Sequence, residues 1–461
     1  MNTDTVTGKM LKRGKIVSVR TAGFGYLATA FLALFFSAFL DRLDYSLISI
    51  LVLCTSWMVL ALFAASDRLY VDGRKLQRSG AIPRFVNLFT GSGRRLRIAH
   101  IEQVETAAYQ RYKRGGNVVY SYRTTIRGRE RRFEITSHSR GFREFITALL
   151  AGVPDDVLDN RSIELRDYLA ARSDVRSRAK LSEIPDSDVL EGSLKRSRQS
   201  VPQPHSPIMM LPDPEKAEKL RRLGNELRIA GFLLQSVEAF RRAALLQPKN
   251  AWLLFDYGRC LLSCAASERD DGLERRAFAM MRLAERRAGD DRELLARLGE
   301  SYFHAGNWER ASIVFRKATD TVGASFRAMR GMAEIALREG KFAHVIHNFS
   351  IANDLTNSPS LKRWTNSEIE YFTRLNSDEE YMELEISRLN LIDTLSRLAA
   401  STIRIAGLGI AVIFAGALLD DSLVADAGWA IGLISLILCS GAVVFKGILA
   451  ARISTETIDE E

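Results

Sequence analysis

Residues 298–318 read LGESYFHAGNWERASIVFRKA. Leu298-Gly299, Tyr302, Gly306, Ala311, Phe315 and Ala318 alternate small and large side chains at helical spacing, with Trp308 just after the Gly306 break. This spacing predicts two antiparallel helices joined by a short turn, the small residues allowing close approach and the large ones filling the contact. The same pattern occurs upstream at Leu223-Gly224, Leu227, Gly231, Phe240, Ala243 and Pro248, and downstream at Met332-Ala333, Ala336, Gly340, Phe349 and Ala352. Between them Tyr257-Gly258 and Leu261 open another copy, which Ala277, Met281 and Ala284 close after about seven extra residues around Glu268 to Glu274. Four copies over 217–358 exceed the roughly three that stacked repeats need to bury a continuous core. Leu361 to Phe372 is expected to cap the array, and Ser377 to Leu398, with its stripe Leu384, Leu389, Ile392 and Leu395, to run as one helix toward the C-terminal apolar region.

Outward from this core the chain becomes apolar at both ends. Its 461 residues are 47% hydrophobic and 26% charged with four Cys, a composition that excludes wholesale disorder and a disulfide-rich secreted scaffold. The mean hydropathy of -0.06 averages very apolar ends with a polar middle. Residues 21–40 and 46–65 carry no charge and are each long enough to span a bilayer; only Asp41-Arg42-Leu43-Asp44-Tyr45 separates them. A cleaved signal peptide is the alternative for the first run, against which its length and the second run argue. Near the C-terminus, 405–419 and 427–445 repeat the design around the acidic turn 420–426. The third span has the shorter uncharged core, so Arg404 must snorkel to the headgroups; a hairpin buried in a soluble core is the alternative for this pair. Lys9, Lys12, Arg13, Lys15 and Arg20 precede the first span, Arg68, Arg74, Lys75 and Arg78 follow the second, and Arg397, Arg404, Lys446 and Arg452 flank the last two. The positive-inside rule then places both termini and the whole middle in the cytoplasm. Cys54 and Cys439 fall in spans, Cys260 and Cys264 on a cytoplasmic helix, and no disulfide is expected.

Between Asp67 and Glu144 there are 18 Lys and Arg against 7 Asp and Glu, so this stretch carries the entire net charge of +10. Its period changes from helical to alternating: Leu69-Tyr70-Val71 before the Asp72-Gly73 turn, then Leu96-Arg97-Ile98, 101–109, 118–126 and 132–136, closed by Phe142, Phe145, Ile146 and Leu149 at helical spacing. Three uses of the arginines stay open: Arg94 and Arg95 beside Gly91-Ser92-Gly93, with Lys113 and Arg114 at a hairpin tip, cradling phosphates; a basic face on an anionic leaflet; or a solvated strand face. Tyr109, Tyr112, Tyr120 and Tyr122 interleaved with Arg111, Lys113 and Arg123 suit single-stranded nucleic acid, though cross-strand aromatics also stabilise any sheet.

The order of strands and closing helix after a membrane hairpin resembles the bacterial PH-like domains, which implies a small bent β-barrel or sandwich over 67–152. The helix pairs of 217–358 resemble the tetratricopeptide (TPR) family. The fold class expected is thus a multidomain membrane protein: an α-helical TPR solenoid, a small β-rich PH-like domain and four transmembrane helices. The segments are 1–20, a basic cytoplasmic N-terminus; 21–65, the first hairpin; 67–152; 153–214, a mobile polar linker in which Ser162 to Leu181 can form a helix carrying Leu165, Leu169 and Val175; 217–358; 359–398, capping and connecting helices; 399–449, the second hairpin; and 450–461, an acidic tail.

The TPR resemblance implies a concave wall that includes Arg221, Asn225, Arg228, Trp252, Phe255, Arg259, Phe303, His304, Arg327, Arg330 and Arg338. Aromatics and guanidiniums on one wall suit an extended peptide bearing carboxylates. Arg221, Asn225 and Arg297 match the carboxylate-clamp variety, from which Asp256 and Glu293 depart. No catalytic constellation, cofactor motif or metal set is read: His344 and His347 lack a third ligand nearby, and Cys260 and Cys264 read as small buried residues. The expected role is a scaffold that binds a cytoplasmic protein partner and brings it to the membrane, with anionic lipid under the basic domain; a lipid or envelope-state sensor is the alternative.

Overall fold

A computed structural model describes residues 16–20, 24–80, 95–112, 118–128, 131–170, 175–191 and 211–449. Arg94, Lys113 and Arg114, most of the basic N-terminus and the tail 450–461 lie outside these residues. The described chain is mostly helical, with a small antiparallel sheet region, and divides into two compact units.

The first unit (Leu69–Gln77 and Arg95–Thr373 with the first strand) begins with two sheets. One runs β1 (Val17–Arg20), β2 (Arg68–Asp72), β3 (Lys75–Ser79), β4 (Arg95–Arg97) in that order; the other is β5 (Gln103–Tyr112), β6 (Val118–Gly128), β7 (Arg131–Thr136). Alternation puts Leu69, Val71, Leu76 and Leu96 of the first sheet and Val104, Ile126 and Ile135 of the second into one core. Helix α1 (Phe142–Leu150) closes it with Phe142, Phe145, Ile146 and Leu149, the four residues whose spacing predicted this face. The helix starts at Gly141, with φ +90°, where an added Cβ would lie 2.9 Å from the Ser18 carbonyl oxygen; both the left-handed backbone and the close approach require glycine.

Within the expected connector, the described residues are partly helical, as the apolar positions Leu165, Leu169 and Val175 suggested. Residues 160–170 form α2 (Asn160–Ala170) and 175–181 form α3 (Val175–Leu181), burying Ile163, Leu165, Leu169, Val175 and Ala179. The buried face of α2 also includes Asn160 and Ser162, whose polar groups find partners on distant elements: the Ser162 and Thr106 hydroxyls lie 2.7 Å apart.

Four helix pairs follow: α4/α5 (Pro214–Ala230, Leu233–Leu246), α6/α7 (Ala251–Glu268, Asp271–Arg287), α8/α9 (Arg292–His304, Trp308–Val322) and α10/α11 (Phe326–Arg338, Phe342–Leu355). Side chains of Asp213, Asn250, Asp270, Asp291, Asn307 and Ser325 accept backbone N–H bonds at helix starts. Close approach explains the small residues: a Cβ on Gly299 would stand 2.6 Å from Phe315, and one on Gly258 2.7 Å from Met281. The extra residues of the second pair lengthen its helices to 18 and 17 residues rather than forming a loop. Helix α12 (Pro359–Ser377) ends the array, with Leu361 and Phe372 buried and Trp364 against Phe326 and Phe349.

The second unit holds α13 (Phe24–Arg42) and α14 (Ser46–Ser66) from the N-terminal end, and α15 (Glu379–Leu418) and α16 (Ser422–Leu449) from the C-terminal end. Ser37 Oγ donates to the Ser49 carbonyl at 2.9 Å and Ser49 Oγ to that of Ser37 at 2.7 Å, joining the first two. Gly409 and Gly416 let α15 lie close against Gly432 and Ala425 of α16. The turns of the two hairpins meet: Arg42 Nε lies 2.7 Å from Asp426 Oδ1, and its Nη2 donates to the Ser422 carbonyl. Arg388 donates to the last carbonyl of α16, at Leu449, and is paired with Glu385.

Among the described residues three helices are long and apolar enough to cross a membrane, Ser46–Ser66, Glu379–Leu419 and Ser422–Gly447. Leu47, Leu408, Phe414 and Leu423 are each at least 65% exposed, apolar surface that calls for lipid. The first expected span is not among these three, whereas the third, expected to be the weakest, runs through Arg404 without a break.

Candidate functional site

The wall that the resemblance described as a peptide groove is largely covered by the chain itself. Arg228, in the last turn of α4, and Arg259, on α6, both reach Glu164 of α2; Arg228 Nη2 lies 2.5 Å from Glu164 Oε1, and Arg259 pairs with the same oxygen. All three are buried, with side-chain exposures of 8%, 12% and 11%. Burial raises the Glu164 carboxyl, but the two guanidiniums outweigh it and hold it at about 2. Burial and the neighbouring Arg228 pull Arg259 down, despite Glu164. Nearby, the backbone N–H of Val118 donates to Gly231 at 2.8 Å and the Tyr122 hydroxyl to the Ile229 carbonyl at 2.7 Å, so the second sheet is fixed to the end of α4.

The remaining expected groove residues divide by exposure. Arg221 pairs with Asp256 and Glu218, and Asn225 Nδ2 donates to Asp256 Oδ2 at 2.8 Å, so the two clamp-like residues serve the α4–α6 contact. Phe255 is buried in the core, and Trp252 Nε1 donates to Asp291 at 2.7 Å with Arg297 stacked on its ring. Arg327 lies 2.6 Å from Glu300 and also donates to the carbonyls of Asp155 and Leu158. Arg330 pairs with Glu334 and stacks on Trp364. His304 and Arg338 remain exposed, with the Arg338 guanidinium 5.2 Å from the Phe303 ring and 4.4 Å from that of Trp308. The expectation of one open wall is therefore revised: Arg228, Arg259 and Arg327 meet Glu164, Asp155 and Leu158 of the segment expected to be connector, while Arg221 and Asn225 hold Asp256 and Phe255 is buried in the core of the array.

What stays open is a cleft of about 720 Å³ between the start of α2, the strand β5 and the helices α6 to α8. Asp159, Arg161, Arg269, Asp270, Glu274 and His304 line it together with the edges of Arg228 and Arg259. Asp159 accepts from the backbone N–H groups of Thr106 and Ser162; burial, then the Glu300 charge, push it up to about 6 against these bonds. The Glu300 carboxylate, 3.7 Å from His304 Nε2, raises the His304 imidazole. The cleft thus carries both signs of charge. The rings of Phe303 and His304 lie 5.8 Å apart, and the Arg338 guanidinium stands over the rings of Phe303 and Trp308.

Of the expected anion-facing residues, Arg95 lies on an exposed strand face, its carbonyl accepting from Arg131 at 2.7 Å. Sequence reasoning missed Asp159, Glu164 and Glu300: their partners lie far along the chain, where no local spacing marks them. Among the described residues no group of three or more His, Cys, Asp or Glu could hold a metal ion. No family model matches the chain, and no curated protein matches it at a significant level.

Proposed function

We propose that this chain is a membrane-anchored adaptor, which recruits a cytoplasmic protein to the bacterial inner membrane. In this reading the helix pairs are TPR repeats, the two-sheet domain is PH-like, and α13 is the first of four spans, with both termini and the soluble domains cytoplasmic. The Arg42–Asp426 pair supports that topology, because it holds both hairpin turns at one end of their unit. Tethering raises a partner's effective concentration without chemistry.

The observation that carries the reading is the surface at Phe303, His304, Trp308 and Arg338. Trp308 is 46% exposed, and Arg338 lies over two aromatic rings while the deeper guanidiniums of the same wall have internal partners. Exposed aromatics with an arginine are the residue types that anchor protein interfaces. The partner segment would carry an acidic group for Arg338 and apolar bulk for Trp308.

Cross-linking in native membranes, followed by purification in mild detergent, tests this. A defined cytoplasmic protein should co-purify with the wild type and be lost from a Trp308→Ala, Arg338→Glu variant that still inserts. Equal recovery from both would remove the reading. The alternative, a sensor of lipid or envelope state acting through the two-sheet domain, is favoured by the basic face around Arg95.

A further inference from the structure

We infer that the outer face of β3 and β4 is a binding site for a phosphate group. The register pairs Lys75 with Arg97 and Gln77 with Arg95, while Leu76 faces Leu96 on the other side. Leu76 and Leu96 are buried at 0% and 2% exposure, so alternation turns Lys75, Arg95 and Arg97 outward together. Arg131 of β7 joins them through its bond to the Arg95 carbonyl, and His100 follows β4 at the end of a short helical turn. These five side chains and Leu96 line a cavity of about 590 Å³.

A Lys directly opposite an Arg in an antiparallel pair is unfavourable, since like charges across strands repel. Here that pair is joined by two further guanidiniums, and no carboxylate among the described residues lines the cavity. Asp72 approaches Lys75 only at 4.0 Å, with both side chains more than 40% exposed, a contact of little weight. The nearby Glu134 is engaged by Arg123 and Arg132. The face therefore gathers positive charge with no carboxylate among its described lining residues, on a rigid paired backbone rather than on a loop. Arginine forks and a lysine ammonium match the tetrahedral oxygens of phosphate. A lipid headgroup and free phosphate share this chemistry. The site is independent of the recruiting surface, so either can fail alone.

Full-length protein in phosphatidylcholine nanodiscs tests it by equilibrium dialysis against labelled orthophosphate. Saturable binding is expected, weakened at least tenfold in Lys75→Gln, Arg97→Gln, two exposed positions whose change leaves the core intact; Arg131→Gln should weaken it separately. Repeating the dialysis in nanodiscs with one quarter phosphatidic acid distinguishes the sources. Loss of the site-dependent orthophosphate binding there identifies the lipid headgroup as occupant, and retention identifies the free anion. Absence of saturable binding in the neutral discs, or equal binding by the wild type and the double variant, would overturn the inference.

Discussion

Replacing Glu164 by glutamine changes one atom and separates two views of the arginine wall. The carboxylate neutralises one of two buried guanidiniums, so its loss leaves Arg228 and Arg259 without their shared partner. A carboxyl held at about 2 in the fold, against an ordinary value of 4.5, corresponds to about 3 kcal/mol of stability near neutral pH. Breaking a buried ion pair by removing one partner costs about 3–5 kcal/mol by general experience, which agrees. The pH dependence has a definite sign. Because the folded value is depressed, the stabilisation is fully present above about 4.5 and is lost as pH falls toward 2. Urea denaturation of full-length protein in detergent, followed through the signal of the helix array, should show the midpoint of Glu164→Gln reduced at pH 7 and the gap to wild type closing in acid. If the two arginines instead served an external ligand, the variant would unfold like the wild type and bind acidic peptide more tightly. That pair of results would refute the structural assignment.

Gly299→Ala should destabilise the array by about 1–3 kcal/mol, since its Cβ would stand 2.6 Å from Phe315, and thermal unfolding of a Gly299→Ala, Phe315→Leu double variant should recover part of the loss. Asp159 carries the opposite pH sign to Glu164: raised to about 6, it contributes stability below about 4 that is lost as pH rises through 6. Asp159→Asn keeps an acceptor for Thr106 and Ser162, and denaturation curves between pH 4 and 7 should show it more stable than wild type at the upper end. In a cysteine-free background, Asp44→Cys and Ser422→Cys should react with a membrane-impermeant maleimide from the same side, because Arg42 links the two turns; opposite sides would exclude the arrangement.

Local period made much of this fold readable. The small and large alternation around Gly299 and Phe315 placed a helix pair because both residues meet within it, and Phe142 to Leu149 placed a closing helix for the same reason. What stayed hidden depends on distance along the chain. Glu164 meets Arg259 across 95 residues, and Asn160 donates to Glu300 across 140, so a segment rich in charge read as solvated when its charges were in fact matched inside. The arginines of the wall were legible as a set, but their availability was not, since that depended on what 155–165 does. Arg404 shortened the uncharged core of the third span, and α15 passes through it as one helix, in line with the helix expected to run from Ser377 toward that span, since no glycine or proline interrupts 379–406.

That unbroken helix has a mechanical meaning. Its 40 residues extend about 60 Å, roughly twice the thickness of a hydrocarbon core, so where its apolar half crosses a bilayer the other half projects as a stiff rod. With no hinge at the water boundary, a change of tilt inside the membrane is delivered outside it. A 10° tilt swings the far end of a 30 Å projection by about 5 Å, and rotation about the axis turns the stripe of Leu384, Leu389 and Ile392 by the same angle as the buried half. Because Arg388 also donates to the last carbonyl of α16, the two helices would turn as one lever where they cross a bilayer.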